Sequence, residues 1–441
     1  MKSITKALPL LLFFFFLASA SAQSWQPQAV DVLPADYGLF GISVVDENVV
    51  WGTGFDFTDG QPSSNAIPHV IKTTDGGAIW TDYAVPEAMG RWSFDIVGID
   101  ANTAWISSID LGNGSGQGLF KTNDGGETWT EKHPGPQGGV WIRFFDAQEG
   151  ICINRQEMAR TTDGGDTWEP VFPDNIPDFE TDEYTIIQSG NNSLCAVGDR
   201  LYFGTNKGRV FRSKDRGVTW EVLDAGFDTD DVVFSVSFID SLQGLAIAPQ
   251  ALNVKIARTR NGGENWEVFT TPAFGSYFQN IAYVTGTDST FVGVSSTSSP
   301  LGSYYSTNFG KTWQTIDSDI PYRSVGFASP QIGWVSRGLI GPGQPAMYKW
   351  DDDLFIATVE RPFHPAISIA PNPFRNELNL ECEDAAMEYV SLFNASGILI
   401  DEASAGGQRA FRWLLPELPG GMYMVKIQTD RGASCEKLVR F

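Results

Sequence analysis

Arginine beside an aromatic ring is the most suggestive chemistry in this sequence. Arg91-Trp92, Trp141 with Arg143, and Tyr322-Arg323 share the pairing, and Tyr184 and Tyr277-Phe278 stand at comparable places in the repeat set out below. Guanidinium and aromatic groups are the usual anchors of binding surfaces, so this set is the candidate ligand site. The competing use of such aromatics is packing against neighbouring elements. Catalytic candidates are weaker. Glycoside hydrolysis needs two carboxylates about 5–10 Å apart, and among 53 acidic residues such pairs arise by accident. The three histidines, His69, His133 and His364, are scattered without metal-ligand spacing. No C-x-x-C or Gly-x-Ser-x-Gly element is present. The acidic runs Asp228-Thr229-Asp230-Asp231 and Asp351-Asp352-Asp353 could hold Ca2+, but without EF-hand spacing they read as solvated loops. No catalytic residue, metal or cofactor is assigned.

The elements that would position these residues are repeats. Six segments run from Asp75 to Trp80, Asp124 to Trp129, Asp163 to Trp168, Asp215 to Trp220, Asn261 to Trp266 and Asn308 to Trp313. Each begins two residues earlier with Ser or Thr, and each carries Gly before the Trp. Successive tryptophans lie 49, 39, 52, 46 and 47 residues apart. Asp or Asn bonds its own backbone in a turn, Gly takes φ > 0 without a steric penalty, and the Trp anchors the returning strand. Upstream of each segment stand two short apolar strands around a polar turn, such as Phe94–Gly98 with Ala104–Ile106. Seven such units exist, with equivalents beginning near Gly41, Ile142, Tyr184, Phe234, Ile281 and Val325. Four short antiparallel strands per repeat of about 48 residues is the signature of a propeller blade.

The seventh unit lacks a box. Met347-Tyr348-Lys349-Trp350 runs into aspartates, whereas Trp25-Gln26-Pro27 resembles the strand that follows a box tryptophan. The N-terminal strand is therefore expected to complete the last blade and close the ring. The expected fold is all-β: a seven-bladed β-propeller closed by the N-terminal strand, followed by a small Ig-like β-sandwich.

The Ser/Thr-x-Asp-x-Gly-x-Thr-Trp pattern resembles the Asp-box, or BNR repeat. Sialidases, some glycoside hydrolases, sortilin-type receptors and photosystem II assembly-factor-like propellers carry it. With a box in every blade but one, residues 24–360 are most similar to the last group. The resemblance implies a structural turn away from the active face. It does not imply a sialidase: no Phe-Arg-Ile-Pro element occurs near the start, and sialidases resemble six-bladed rings.

Both chain ends read as addresses. Lys2 and Lys6 precede an apolar run from Leu8 to Ala18, and Ala20-Ser21-Ala22 follows, a cleavage signature of the A-x-A type. Residues 1–22 are expected to be a signal peptide cut between Ala22 and Gln23. Its removal takes two lysines from a chain of net charge −23 and leaves −25. After a linker at 361–366, residues 367–441 read as short alternating strands between Gly, Pro and Asn turns, a β-sandwich. Four cysteines permit two disulfides in an exported chain, and Cys382 with Cys435 is the favoured pair. Pro371-Asn372-Pro373-Phe374, Gly420-Gly421-Met422-Tyr423-Met424-Val425 and Lys437-Leu438-Val439 resemble the type IX secretion C-terminal sorting domain (type A) of Bacteroidota. That resemblance implies the type IX machinery as a partner and a secreted or outer cell-surface location, reached through the periplasm.

Acidity at pI ≈ 4.4 excludes a nucleic-acid partner, because duplex affinity depends on neutralising phosphates with Lys and Arg. No stretch of the mature chain approaches transmembrane length. The expected function is a secreted or surface non-catalytic binding or adhesion module for an extracellular protein or glycan. The alternative is a secreted glycoside hydrolase, sialidase-like or otherwise, with carboxylates at the axial mouth.

Overall fold

The computed structural model describes residues 25–34, 36–56, 67–110, 117–132, 141–154, 156–186, 193–250, 253–272, 280–296, 301–352, 355, 367–382, 385–394, 398–430 and 432–441. The expected signal peptide with its Ala22/Gln23 cut, the linker 361–366, Tyr277, His133 and His364 lie outside these residues.

Alternating apolar residues and turn residues at short intervals give strands of two to eight residues in the first 352 positions. They assemble into seven four-stranded antiparallel sheets. Six are sequential. The first contains Tyr37–Val44, Val50–Asp56, His69–Thr73 and Thr81–Ala84. The seventh is composite: Gln26–Val30 pairs with Pro345–Asp351, outside Ile332–Arg337 and Tyr322–Phe327. Trp25 fixes this strand, donating Nε1–H to Ser303 Oγ at 2.8 Å and meeting Trp350 edge-on at 5.3 Å between ring centroids. The first strand of each sheet packs on the first strand of the next, and that of the seventh sheet packs on that of the first.

Each box turn lies at the same end of its sheet as the hairpin joining strands one and two: Gly76 N–H donates to Asn48 O, and Gly125 N–H to Asn102 O. The connections between sheets and those between strands two and three therefore emerge on the opposite face. The sheet–sheet interfaces are mainly apolar, crossed by a few buried polar bonds such as Thr53 Oγ1–H to Ser93 Oγ at 2.8 Å. Trp51, Trp105 and Trp334, one per second strand, are fully buried. Trp105 lies so close beneath the third box that a Cβ at Gly165, where φ is 83°, would meet the indole at 2.2 Å.

One expected element is displaced. The fourth sheet begins at Leu194–Val197, ten residues after Tyr184, which sits on the connection beside a lone Thr185–Thr205 bridge.

The C-terminal residues form two more sheets. Ile367–Ala370, Glu377–Cys382 and Ala410–Leu414 make one, and Leu399–Gln408, Met387–Asn394, Gly421–Thr429 and Gly432–Arg440 the other. Leu378, Leu380 and Trp413 from the first meet Val390, Leu392, Val425, Ile427 and Leu438 from the second in one core. Cys382 and Cys435 are free thiols, which corrects the expected pairing. Cys382 points into the core, whereas Cys435 is exposed on the far side of the four-stranded sheet, so the sheet separates them. The module touches the ring's box face through ion pairs Lys426–Asp240 at 2.9 Å and Arg260–Glu388 at 3.4 Å.

Candidate functional site

The box turns close on themselves. In the third, Thr161 Oγ1 lies 2.8 Å from Asp163 Oδ1 and accepts from Gly165 N–H at 2.8 Å. Asp163 accepts from Thr167 N–H at 2.9 Å and Thr167 Oγ1–H at 2.7 Å. The backbone and hydroxyl donors of Thr167 hold the Asp163 carboxyl down at about 2, and those of Thr128, hydroxyl first, do the same for Asp124. Asp75 and Asp215 make the same contacts with Thr73, Ile79, Ser213 and Thr219. Asn261 and Asn308 reproduce the acceptor with Oδ1, taking Asn265 N–H and Thr312 N–H at 2.9 Å. The tryptophans fold back on the turn: Trp129, Trp220 and Trp313 donate to the carbonyls of Gly126, Gly217 and Gly310. Trp80, Trp168 and Trp266 pack at the neighbouring sheet interface. The box carboxylates are exposed or half-exposed but already accept bonds within their own turns, so the boxes read as structural geometry.

A feature missed in the sequence ties successive boxes together. The residue just before the box hydroxyl is Lys72, Lys121, Arg160, Arg212 or Arg258 in five of the six. Lys72 Nζ donates to Gly125 O at 2.5 Å and Lys121 Nζ to Gly164 O at 2.8 Å, each reaching the turn of the next sheet. Arg160 donates to Arg216 O at 2.9 Å and Arg212 to Gly262 O in the same way. Lys72 also lies over Trp51 and Lys121 over Trp105.

The arginine–aromatic set has mostly structural placements. Arg143 donates Nη1–H to Asp95 Oδ2 at 2.8 Å and Nε–H to Leu194 O at 2.9 Å, so it links the second, third and fourth sheets. Asp95 is fully buried and also accepts from Ile142 N–H and Ile96 N–H. Burial pushes its carboxyl up, and the Arg143 guanidinium pulls it down. Trp141 is buried with its N–H on Ile186 O, and Tyr322 is buried against Asp317 and Tyr348. Arg91 pairs with Glu131 at 2.7 Å and covers Phe120. Of the residues expected to face a ligand, Arg91 is thus engaged within its own sheet, and Trp141, Arg143 and Tyr322 are packed against neighbouring elements.

Trp92 and Arg323 are brought together by two residues not singled out before. The Arg323 guanidinium lies 3.9 Å above Phe40, Phe40 meets Phe94 at 5.5 Å, and Phe94 stacks on Trp92 at 5.9 Å. Burial pushes Arg323 down to about 10. Register breaks at Leu39/Gly41, Ser93/Asp95 and Tyr322/Val325 put this row at the same level of three adjacent inner strands. A bulge is invisible to alternation, which is why Phe40 and Phe94 read as ordinary strand residues.

On the face opposite the boxes Val30, Met89, Phe172, Tyr184 and Leu339 are exposed, on connections or strand ends, against Ile79 and Val218 in the box turns. Asp228 and Asp231 share Lys255 at 2.6 Å each, so one ammonium partly offsets that acidic run. His69 pairs with Asp82 at 2.7 Å. Among the described residues no group of three His, Cys, Asp or Glu is arranged to hold a metal, and no helix is long and apolar enough to cross a membrane.

Comparison with known proteins decides what the C-terminal module is. Residues 368–440 match the secretion system C-terminal sorting domain. Residues 304–315, the sixth box, match the BNR/Asp-box repeat. The sorting domain marks an exported protein, secreted or on the cell surface. The chain is similar to xyloglucanase Xgh74A of Acetivibrio thermocellus, 24% identical over 216 residues, 46% of this chain and 22% of that enzyme. YCF48 bound to D1 peptide superposes with a TM-score of 0.53 at 18% identity, over 75% of this chain and 99% of that one. YCF48 from Cyanidioschyzon merolae gives 0.52 at 15% identity, over 74% and 98%. An ancestral GH74 enzyme gives 0.50 at 13% identity, over 95% of this chain and 64% of its own. At these identities the likeness establishes a β-propeller fold ahead of the sorting domain, and no activity.

Proposed function

We propose that residues 23–360 form a seven-bladed propeller closed by its N-terminal strand. In this reading residues 1–22 are a removable leader, 361–366 a linker, and 367–441 an Ig-like sandwich that directs type IX export. The pairing of Gln26–Val30 with Pro345–Asp351, and the packing of the seventh inner strand on the first, support closure. The ring is a non-catalytic binding or adhesion module for an extracellular protein or glycan, engaged through the face opposite the boxes. One observation carries this: that face exposes Met89, Phe172, Tyr184 and Leu339, while the buried carboxylates Asp95 and Glu183 are paired with Arg143 and Arg209. An acid tied into an internal pair is poorly placed for proton transfer to a substrate. The full coverage of YCF48, which binds a peptide, agrees with a ring that needs no further domain to bind.

The xyloglucanase likeness favours a second reading, a glycan hydrolase. Purified protein assayed on xyloglucan, other polysaccharides and sialosides separates the two. The expected outcome is no turnover, with saturable binding in a glycan or extracellular-protein screen. Turnover abolished by replacing a single carboxylate would establish the hydrolase instead.

A further inference from the structure

Among the described residues, the last 44 hold six of the fourteen exposed large apolar side chains, a far higher density than in the ring. Four of the six lie together. Met422 and Val439 are cross-strand partners, Met424 follows two residues on from Met422, and Phe441 two on from Val439. Residues that alternate with them, Tyr423, Val425 and Leu438, enter the core, so this set projects from the outer face of the four-stranded sheet. Phe393, paired with Met424 on the next strand, extends the patch. Lys437 stands within it, directly across from Met424.

The rest of that outer face is already used. Ser391, Lys426 and Tyr389 lie further along it, where Lys426 reaches Asp240 and Arg260 of the ring lies near Tyr389. Ser391 is buried although it faces outward. The adjoining strand edge is also occupied: Phe374 N–H donates to Val439 O, Phe441 N–H to Phe374 O, and Asn372 bonds both Val439 N–H and Lys437 O. Strand addition there is blocked, so side chains must carry any recognition.

We propose that Met422, Met424, Val439 and Phe441, with Lys437, form the surface by which a protein of the export machinery reads the sorting domain. The partner presents apolar side chains beside a carboxylate. This rests on the sorting reading of residues 367–441. A second copy of the chain fits poorly, because a two-fold contact centred on this patch would bring two Lys437 ammoniums together, with Met422, Met424, Val439 and Phe441 supplying no counter-charge. An anionic membrane fits poorly too, since a chain of net charge −23 is repelled by it.

The test is export of the full chain in a bacterium with type IX secretion. Met422→Ser with Met424→Ser, and separately Lys437→Glu, are each expected to cut the exported fraction at least tenfold, with the chain retained in the periplasm. Thermal unfolding of both purified variants is expected to match the parent, and Leu414→Ser, an equally exposed site on the other sheet, is expected to be exported normally. If both patch variants fold and leave the cell at the parental rate, the proposal is overturned. An equal defect in Leu414→Ser, loss of self-association, or loss of binding to anionic vesicles as the sole change would also overturn it. Deleting 367–441 distinguishes the two levels: normal export of that truncation defeats the sorting reading itself. Retention of the truncation with normal export of the patch variants defeats this inference alone.

Discussion

The two faces of the ring obey different rules. On the box face the same few bonds recur sheet after sheet: hydroxyl to carboxylate, carboxylate to backbone, and a basic side chain to the next turn's carbonyl. On the opposite face the connections differ in length and composition, and five large apolar side chains among the described residues stand in solvent there, against Ile79 and Val218 in the box turns. A repeat can vary only where its stability does not depend on the varied atoms. The box face therefore carries folding and sheet-to-sheet register, which leaves the loop face available for recognition. Between them the inner strands are stitched by buried pairs such as Asp95–Arg143.

That division predicts a gradient of effects. The largest belongs to the stitch. Asp95→Ala leaves the Arg143 guanidinium half-buried with its main counter-charge gone, and should cost about 3–5 kcal/mol in chemical denaturation. A loss below 1 kcal/mol would mean the sheets are registered by apolar packing alone. Next comes the link between boxes. Lys121→Met keeps the aliphatic stem on Trp105 but removes the bond to Gly164 O, with an expected loss of about 1.5–3 kcal/mol. If the loss were negligible, successive boxes would be independent units.

A gentler probe is pH. Asp124 and Asp163 are held at about 2 in the folded chain, against roughly 3.9 when unfolded. The folded state thus binds fewer protons in that interval. The contribution of these turns is complete above about pH 4 and is lost as pH falls through 2. The fifth and sixth boxes carry Asn261 and Asn308 and contain no titrating acceptor, which makes them internal controls. Amide exchange between pH 5 and pH 2.5 should accelerate at Thr128 and Thr167 more than at Asn265 and Thr312, after correction for intrinsic rates. Equal acceleration would remove the carboxylates from the account of turn stability.

Sequence reading succeeded where interactions are local in the chain. Box residues bond partners within four positions, so their chemistry appears in a single short window. It failed where the neighbour is 40 or more residues away. Arg143 looks like a ligand anchor until Asp95, 48 positions earlier, occupies it. Tyr184 looked like the start of an inner strand, but the connection before the fourth sheet is long, and the strand begins at Leu194. Cys382 and Cys435 share a module but not a side of its sheet. The cations before the boxes were visible as a pattern. Their meaning depended on knowing that the next turn lies within reach.

The smallest expected stability effect is the most informative about function. Phe172 and Tyr184 lie on one connection of the loop face, 68% and 40% exposed. Truncating an exposed side chain removes little packing, so Phe172→Ala and Tyr184→Ala should shift unfolding by no more than about 0.5 kcal/mol each. If the loop face is the binding face, the same substitutions should weaken a verified extracellular ligand at least tenfold, because exposed aromatics supply contact area at low entropic cost. Arg323→Ala, whose guanidinium sits on Phe40 within the inner-strand row, should do the reverse and lower stability more than binding. If instead ligand affinity followed Arg323 and ignored Phe172 and Tyr184, recognition would belong to the axis of the ring. The comparison of faces would then have to be redrawn as a comparison of rim and centre.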